Sequence, residues 1–178
     1  MQASSPPARV LETSRLVLEP QTAAHAEEMY AVLTDPAIYE FENEPPASVE
    51  ALRERYRKLE TRRSPDGTQR WLNWIVRLRG NGHAIGYVQA TVLADAQALI
   101  AYEFGSAWWG RGMGYEATAS AIEELRGRFG VTVVGAVLKQ VNHRSRTLLA
   151  RLGMRLAGPA EFPGGMADAD EAAMVLRL

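Results

Sequence analysis

Cysteine is absent from this sequence of 178 residues, and the absence closes off a good deal of chemistry. Disulfides, thiolate metal sites and a cysteine nucleophile are excluded, and a reducing, cytoplasmic setting fits what remains. Charge of either sign is not in excess: 20 Lys and Arg against 21 Asp and Glu leave a net charge of −1. No overall basic field points to nucleic acid or to an anionic membrane, so neither is expected as a partner. Long apolar runs are missing too, since the longest, Val131 to Leu138, falls far short of a bilayer's thickness. The opening MQASSPPARV has no basic segment feeding an apolar one and does not read as a signal peptide. Residues 1–9 read as a flexible tail and 10–178 as one domain. Histidine numbers only 3, and His25 and His83 have no second ligand at usable spacing, so no metal is expected.

What is present is ordinary for a globular chain: 47% apolar and 23% charged residues, with enough length to bury a full core. RLVLE, Arg15 to Glu19, reads as a strand. Ala26, Met29, Tyr30 and Leu33 follow at helical spacing, ahead of Pro36. Ser48 is a candidate N-cap for a second helix carrying Val49, Leu52, Tyr56 and Leu59. RWLNWIVRLR and AIGYVQATVL, split by Gly80-Asn81-Gly82, form a hairpin pattern. A third strand, near Leu99 to Phe104, leads through a glycine loop into a helix over 112–129 that stops at Gly130. VTVVGAVL is a buried strand, and NHRSRTLLARLG a helix ending at Gly153. Two more strands are expected near Arg155 to Phe162 and Ala172 to Leu178. The order β-α-α-β-β-β-α-β-α-β-β predicts a mixed sheet with helices on its faces.

The glycine loop, WWGRGMGYEATAS, carries the first chemical signal. A dinucleotide fingerprint would need a further glycine where Tyr115 stands and an acid at the end of the next strand, and VTVVGAVL has none. A Walker-type loop would need Lys-Ser/Thr after the glycines, which is absent. A simple chain reversal would need one glycine. Gly110, Gly112 and Gly114, at every second position before a helix start, predict a concave row of N–H donors for phosphate oxygens.

Trp109-Gly110-Arg111-Gly112-Met113-Gly114 resembles the pyrophosphate loop, Q/R-x-x-G-x-G/A, of the GNAT superfamily of N-acetyltransferases, with Trp109 in the Q/R position. Asn142-His143-Arg144-Ser145, followed by RTLLARLGMR, is similar to the N-x-x-S-x-x-L-L-x-x-L-G-F of its RimJ/RimL-like branch, which contains ribosomal-protein N-terminal acetyltransferases. TSRLVLEP resembles that branch's first strand. The resemblance implies the GNAT fold, of α/β (α+β) class: a mixed, mostly antiparallel sheet of six to seven strands flanked by about four helices. It implies acetyl-CoA as acetyl donor, held through Gly110, Arg111, Gly112, Met113, Gly114 and Tyr115. It also implies a backbone N–H near Phe104 on the thioester oxygen.

Ser145 shares helical spacing with Leu148, Leu149 and Leu152, so its hydroxyl falls on the apolar stripe and needs a partner. Asn142 sits where an N-cap would, a role worth about 1 kcal/mol. By the resemblance, Asn142 hydrogen-bonds the pantetheine arm and Ser145 donates to the departing sulfur. Many GNAT enzymes use a tyrosine for that task, and none follows Tyr115 here. His143, Arg144 and Arg146 read mainly as solvated surface, with Arg146 the candidate to reach the cofactor's ribose phosphate. Glu103, in the apolar and aromatic run LIAYEFG, is the candidate base. A carboxylate in such a strand is costly unless it is paired or does chemistry. The structural alternative is an ion pair with an arginine such as Arg77, which would leave Glu40 or Glu42 as the base.

The activity implied is direct acetyl transfer to a primary amine, small-molecule or peptide, with a homodimer as one open assembly. The alternatives are an acyl-CoA sensor without turnover and, more remotely, a nucleotide-binding module. Glu40, Glu42 and Glu44, with Asp168, Asp170 and Glu171, predict an acceptor carrying positive charge beyond its reacting amine. The alternative for them is a solvated acidic loop.

Overall fold

Alternating apolar residues pair into strands, and capped amphipathic segments cover both faces of the resulting sheet. The computed structural model describes residues 8–41, 43–158, 160–165 and 167–178. In chain order the elements are β1 (Leu11–Glu12), β2 (Leu16–Pro20), α1 (Ala26–Leu33), α2 (Val49–Glu60), β3 (Arg70–Leu78), β4 (Ala84–Val92), β5 (Gln97–Phe104), α3 (Met113–Phe129), β6 (Val133–Lys139), α4 (His143–Arg151), β7 (Arg155–Leu156) and β8 (Glu171–Arg177). The sheet runs β1-β2-β3-β4-β5-β6-β8-β7. Every neighbouring pair is antiparallel except β5 and β6, which are parallel. This is the expected mixed, mostly antiparallel sheet with four α-helices. Its eight strands exceed six or seven because two-residue strands, β1 and β7, sit at its margins. The strand expected over Arg155 to Phe162 shrinks to Arg155–Leu156, and the residues that follow include Gly158, Pro163, Gly164 and Gly165, poor ladder formers.

Strand alternation divides the core. Leu16, Leu18, Leu72, Trp74 and Val76 pack with Ala117, Ala121 and Leu125 of α3 and Leu149 of α4. On the opposite face Ile75 and Ala84 pack with Ala26, Met29 and Leu33 of α1 and Leu52 and Tyr56 of α2. Ser48 caps α2, its Oγ accepting from the Ala51 N–H at 3.0 Å. Gly130, at φ 65°, ends α3 in the left-handed region that glycine enters cheaply.

Of the expected tail, residues 1–7 lie outside the described residues. Arg9 is held: its Nη2 lies 2.8 Å from Glu124 Oε2, and its carbonyl accepts from the Trp74 indole at 2.9 Å. The TSR triplet has a comparable job. The Glu116 carboxylate, in the first turn of α3, accepts from Thr13 Oγ1 at 2.6 Å, Ser14 Oγ at 3.1 Å, the Arg15 N–H at 2.9 Å and Arg15 Nε at 2.6 Å. Arg15 Nη1 then donates to the carbonyl of Arg111 at 3.0 Å. The β1–β2 turn thus clasps both the start of α3 and the loop before it.

Candidate active site

The parallel pair β5 and β6 holds register only at Gln97, Ala98 and Leu99 against Val133, Val134 and Gly135. Beyond Leu99 the strands part, while β5 stays paired to β4 as far as Phe104 opposite Gly86. The opening is a cavity of about 710 Å³, lined by the freed halves of β5 and β6, the glycine loop, α4 and the segment after α1.

The glycines of the loop answer two different demands. Gly110 and Gly112 take φ of 70° and 76°, the left-handed region. A Cβ on Gly114 would lie 2.9 Å from Leu148 Cδ1 and 3.5 Å from the Phe104 ring, so a larger residue here would push the Leu148 side chain aside. The first N–H groups of α3 have no intrahelical acceptor, and Gly110, Gly112, Met113, Gly114 and Tyr115 all line the cavity. A left-handed turn at a helix start with the cavity before it suits phosphate oxygens.

Trp109 turns inward, its indole donating to the Phe104 carbonyl at 2.7 Å. The Arg144 guanidinium stacks 3.6 Å from the centre of its ring and pairs with Glu40 at 3.3 Å. Where the family pattern has Gln or Arg, this chain brings a guanidinium from α4 instead. Arg111 itself lies over Trp108, 5.3 Å from the ring centre, and does not line the cavity; nor does Arg146. At the far end Arg151 stands 4.9 Å over the Tyr115 ring.

Asn142 takes the N-cap position of α4, its Oδ1 accepting from the Ser145 N–H at 3.0 Å, while it also lines the cavity. Ser145 finds its partner in Tyr102: the two hydroxyl oxygens are 2.8 Å apart. Burial pushes the Tyr102 phenol up to about 12, against the pull of the Ser145 hydrogen bond, so it keeps its proton at neutral pH. No tyrosine follows Tyr115 in the chain, but Tyr102, which precedes it, reaches Ser145. Tyr102 was legible in LIAYEFG, because alternation sends it to the sheet face opposite Glu103.

Glu103 stands directly across from Tyr87 in the β4–β5 register, and the Tyr87 hydroxyl is hydrogen-bonded to its carboxylate. Burial and then the negative charge of Glu103 push the Tyr87 phenol well above its ordinary value. Tyr39 rises to about 12 for the same two reasons, in the same order. The expected alternative partner, Arg77, is elsewhere: it pairs with Glu19 and Glu28. Those two carboxylates and His25 form a cluster of metal-ligating type, into which the Arg77 guanidinium is already inserted.

The acidic residues expected around an acceptor are dispersed. Glu40 is drawn to Arg144 and does not line the cavity, and Glu42 lies outside the described residues. Asp170 and Glu171 pair with Lys139, and Glu171 accepts from the Asp168 N–H. Glu44 and Glu103 are the acids that line the cavity among the described residues.

The family model for the acetyltransferase (GNAT) domain matches residues 15–155. The chain belongs to the GNAT family. This GNAT acyltransferase is 25% identical over 154 residues to YoaA of Bacillus subtilis (strain 168), an uncharacterized N-acetyltransferase, with 84% of each chain covered. Its fold is similar to that of RimL, a ribosomal L7/L12 alpha-N-protein acetyltransferase solved with coenzyme A. The TM-score is 0.79 at 13% identity, over 96% of this chain and 98% of that one. A ribosomal-protein-S5-alanine acetyltransferase from Vibrio fischeri superposes with a TM-score of 0.75 at 15% identity, over 94% and 96% of the two chains. Acetyl-CoA is the donor that GNAT acetyltransferases use. No described helix is long and apolar enough to cross a membrane.

Proposed function

We propose that this protein moves an acetyl group from acetyl-CoA directly to a primary amine, on a small molecule or a peptide N-terminus, inside the β5–β6 opening. The observation that carries the reading is the placement of Tyr102 and Glu103. They are consecutive on β5, so one faces α4 with Ser145 and the other faces α1 and α2 with Tyr87. A proton donor and a proton acceptor therefore flank one gap from opposite sides of the sheet.

When bound, acetyl-CoA supplies an activated acyl group and a thiolate leaving group. The loop from Gly110 to Tyr115 receives its phosphates, and Arg144 and Arg151 add positive charge along the way. Asn142 steadies the pantetheine amides beside α4. Backbone N–H groups near Phe104, on the freed end of β5, receive the carbonyl oxygen as it gains charge. The acceptor enters from the α1–α2 side. Glu103, directly or through one water, takes the proton that the amine must lose. The neutral nitrogen then forms the new C–N bond as the C–S bond breaks. Ser145 passes its proton to the sulfur and is refilled from the Tyr102 hydroxyl 2.8 Å away; solvent takes the second proton that the nitrogen sheds and returns one to the phenol, and free thiol leaves. A thiol with an ordinary pKa near ~8.5 needs only modest help of this kind.

An amine and peptide panel, scored by thiol release and by the mass of acetylated acceptor, tests the proposal. One acceptor class should give equal amounts of both products. Stabilisation by acetyl-CoA without thiol release from any acceptor would identify a sensor.

A further inference from the structure

The acceptor end of the opening holds an arginine that the acetyl-transfer reading does not use. Helix α2 carries Arg53, Arg55 and Arg57. Arg53 pairs with Glu50 at 3.8 Å and Arg57 with Glu54 at 3.2 Å, both along the helix surface. Among the described residues no ion pair holds Arg55, which instead lines the cavity. Its positive charge acts on Tyr39, Tyr56 and Tyr87, the same phenols that the Glu103 charge acts on from the sheet. Arg55, from α2, and Glu103, from β5, both line the same cavity. Ile38, Tyr39 and Phe41 supply apolar and aromatic wall between them.

We propose that the acceptor is a small zwitterion of the amino-acid type, its amine directed to Glu103 and its carboxylate to Arg55. Arg55 is exposed where it lines the cavity, and from there its guanidinium can bind a carboxylate through parallel, charge-assisted hydrogen bonds. The same charge opposes polycations, so polyamines and aminoglycosides are disfavoured. Among the described acids that would have attracted such molecules, Glu40, Asp170 and Glu171 are paired elsewhere, and Glu44 is exposed at the mouth. The apolar wall suits an acceptor with an apolar or aromatic side chain. The inference rests on the acetyl-transfer reading, and it names the acceptor class for that site.

Three acceptors that share one side chain test it with the full-length protein and acetyl-CoA: phenylalanine, phenylalanine amide and phenethylamine. Phenylalanine should have a kcat/KM at least about tenfold above the other two. The amide is a stringent control, because its amine is less basic and more of it is neutral at a given pH. Arg55→Gln should lower the rate with phenylalanine at least about tenfold more than the rate with phenethylamine, and Arg55→Lys should restore part of the difference. Equal rates for the acid and its amide, or an equal loss across all three in Arg55→Gln, would overturn the zwitterion. Thiol release with spermidine or an N-terminal peptide, and none with phenylalanine, would overturn it while leaving acetyl transfer intact. If no amine releases thiol, the transfer reading fails. In that case thermal melts with coenzyme A present decide the binding claim: phenylalanine should stabilise the parent but not Arg55→Gln, and no shift in the parent would sink it.

Discussion

Glu116→Gln removes one charge from the clasp that joins the β1–β2 turn to the helix behind the glycine loop. In the parent the carboxylate accepts four hydrogen bonds from Thr13, Ser14 and Arg15. The amide keeps one oxygen for Thr13 and Ser14, but presents an NH2 to the Arg15 guanidinium. A hydrogen bond to a charged group is worth roughly 1.5–3 kcal/mol, and solvent screening reduces that here because Arg15 is 45% exposed. A loss of about 1–2 kcal/mol is the result, which for a domain of this size lowers Tm by about 2–8 °C. The pH dependence is diagnostic. Burial pushes Glu116 up, but the hydrogen bonds from Thr13 and Arg15 outweigh it and hold its pKa below the ordinary 4.5. A group with a depressed folded pKa contributes stability above its unfolded pKa and loses it as pH falls through the folded value. Calorimetric melts should therefore show a constant gap between parent and variant above about pH 5, closing below pH 4.5. A gap of the same size at pH 7 and at pH 3 would refute an ionised acceptor, and no gap at all would refute the clasp.

Ser145→Ala should lower kcat by roughly ten- to a hundredfold with little change in acetyl-CoA affinity. Tyr102→Phe should cost less, and it should add almost nothing in the Ser145→Ala background, since the phenol acts through the serine; additive losses measured in steady-state kinetics would separate the two. Glu103→Gln should slow the reaction at pH 7 and recover towards the parent at high pH, where the amine deprotonates unaided. A parallel pH–rate profile with lowered thermal stability would make Glu103 structural.

Most of the fold was legible because its periodicities are strong and its caps are local. Ser48, Gly130 and the Gly80-Asn81-Gly82 turn act on their own neighbours in sequence, so short windows find them. The glycine loop beside the cavity was legible for the same reason, since Gly110, Gly112 and Gly114 alternate within one short run. Long-range pairings were not. Nothing local to Arg77 says that Glu28 will claim it, 49 residues away in the chain. Arg144 looked like solvated surface because its partners, Trp109 and Glu40, come from two other segments. Arg55 reaches the cavity that Glu103 also lines only because α2 packs beside α1 on the sheet face that carries Ile75 and Ala84.

The central claim is that the acyl donor lies in the β5–β6 opening with its phosphates on the loop before α3. Calorimetric titration of acetyl-CoA into the parent and Gly112→Asp tests it directly. At φ 76° any side chain at Gly112 is strained, but Asp enters the left-handed region more readily than most residues, and its Cβ would lie 3.4 Å from Arg15 Nη2, a cation beside the added carboxylate. The melting temperature of each free protein checks that the variant is folded. The parent should bind one acetyl-CoA per chain, and the variant at least about tenfold more weakly, because a negative charge stands where phosphate oxygens belong. A folded variant that binds acetyl-CoA as tightly as the parent would contradict the claim.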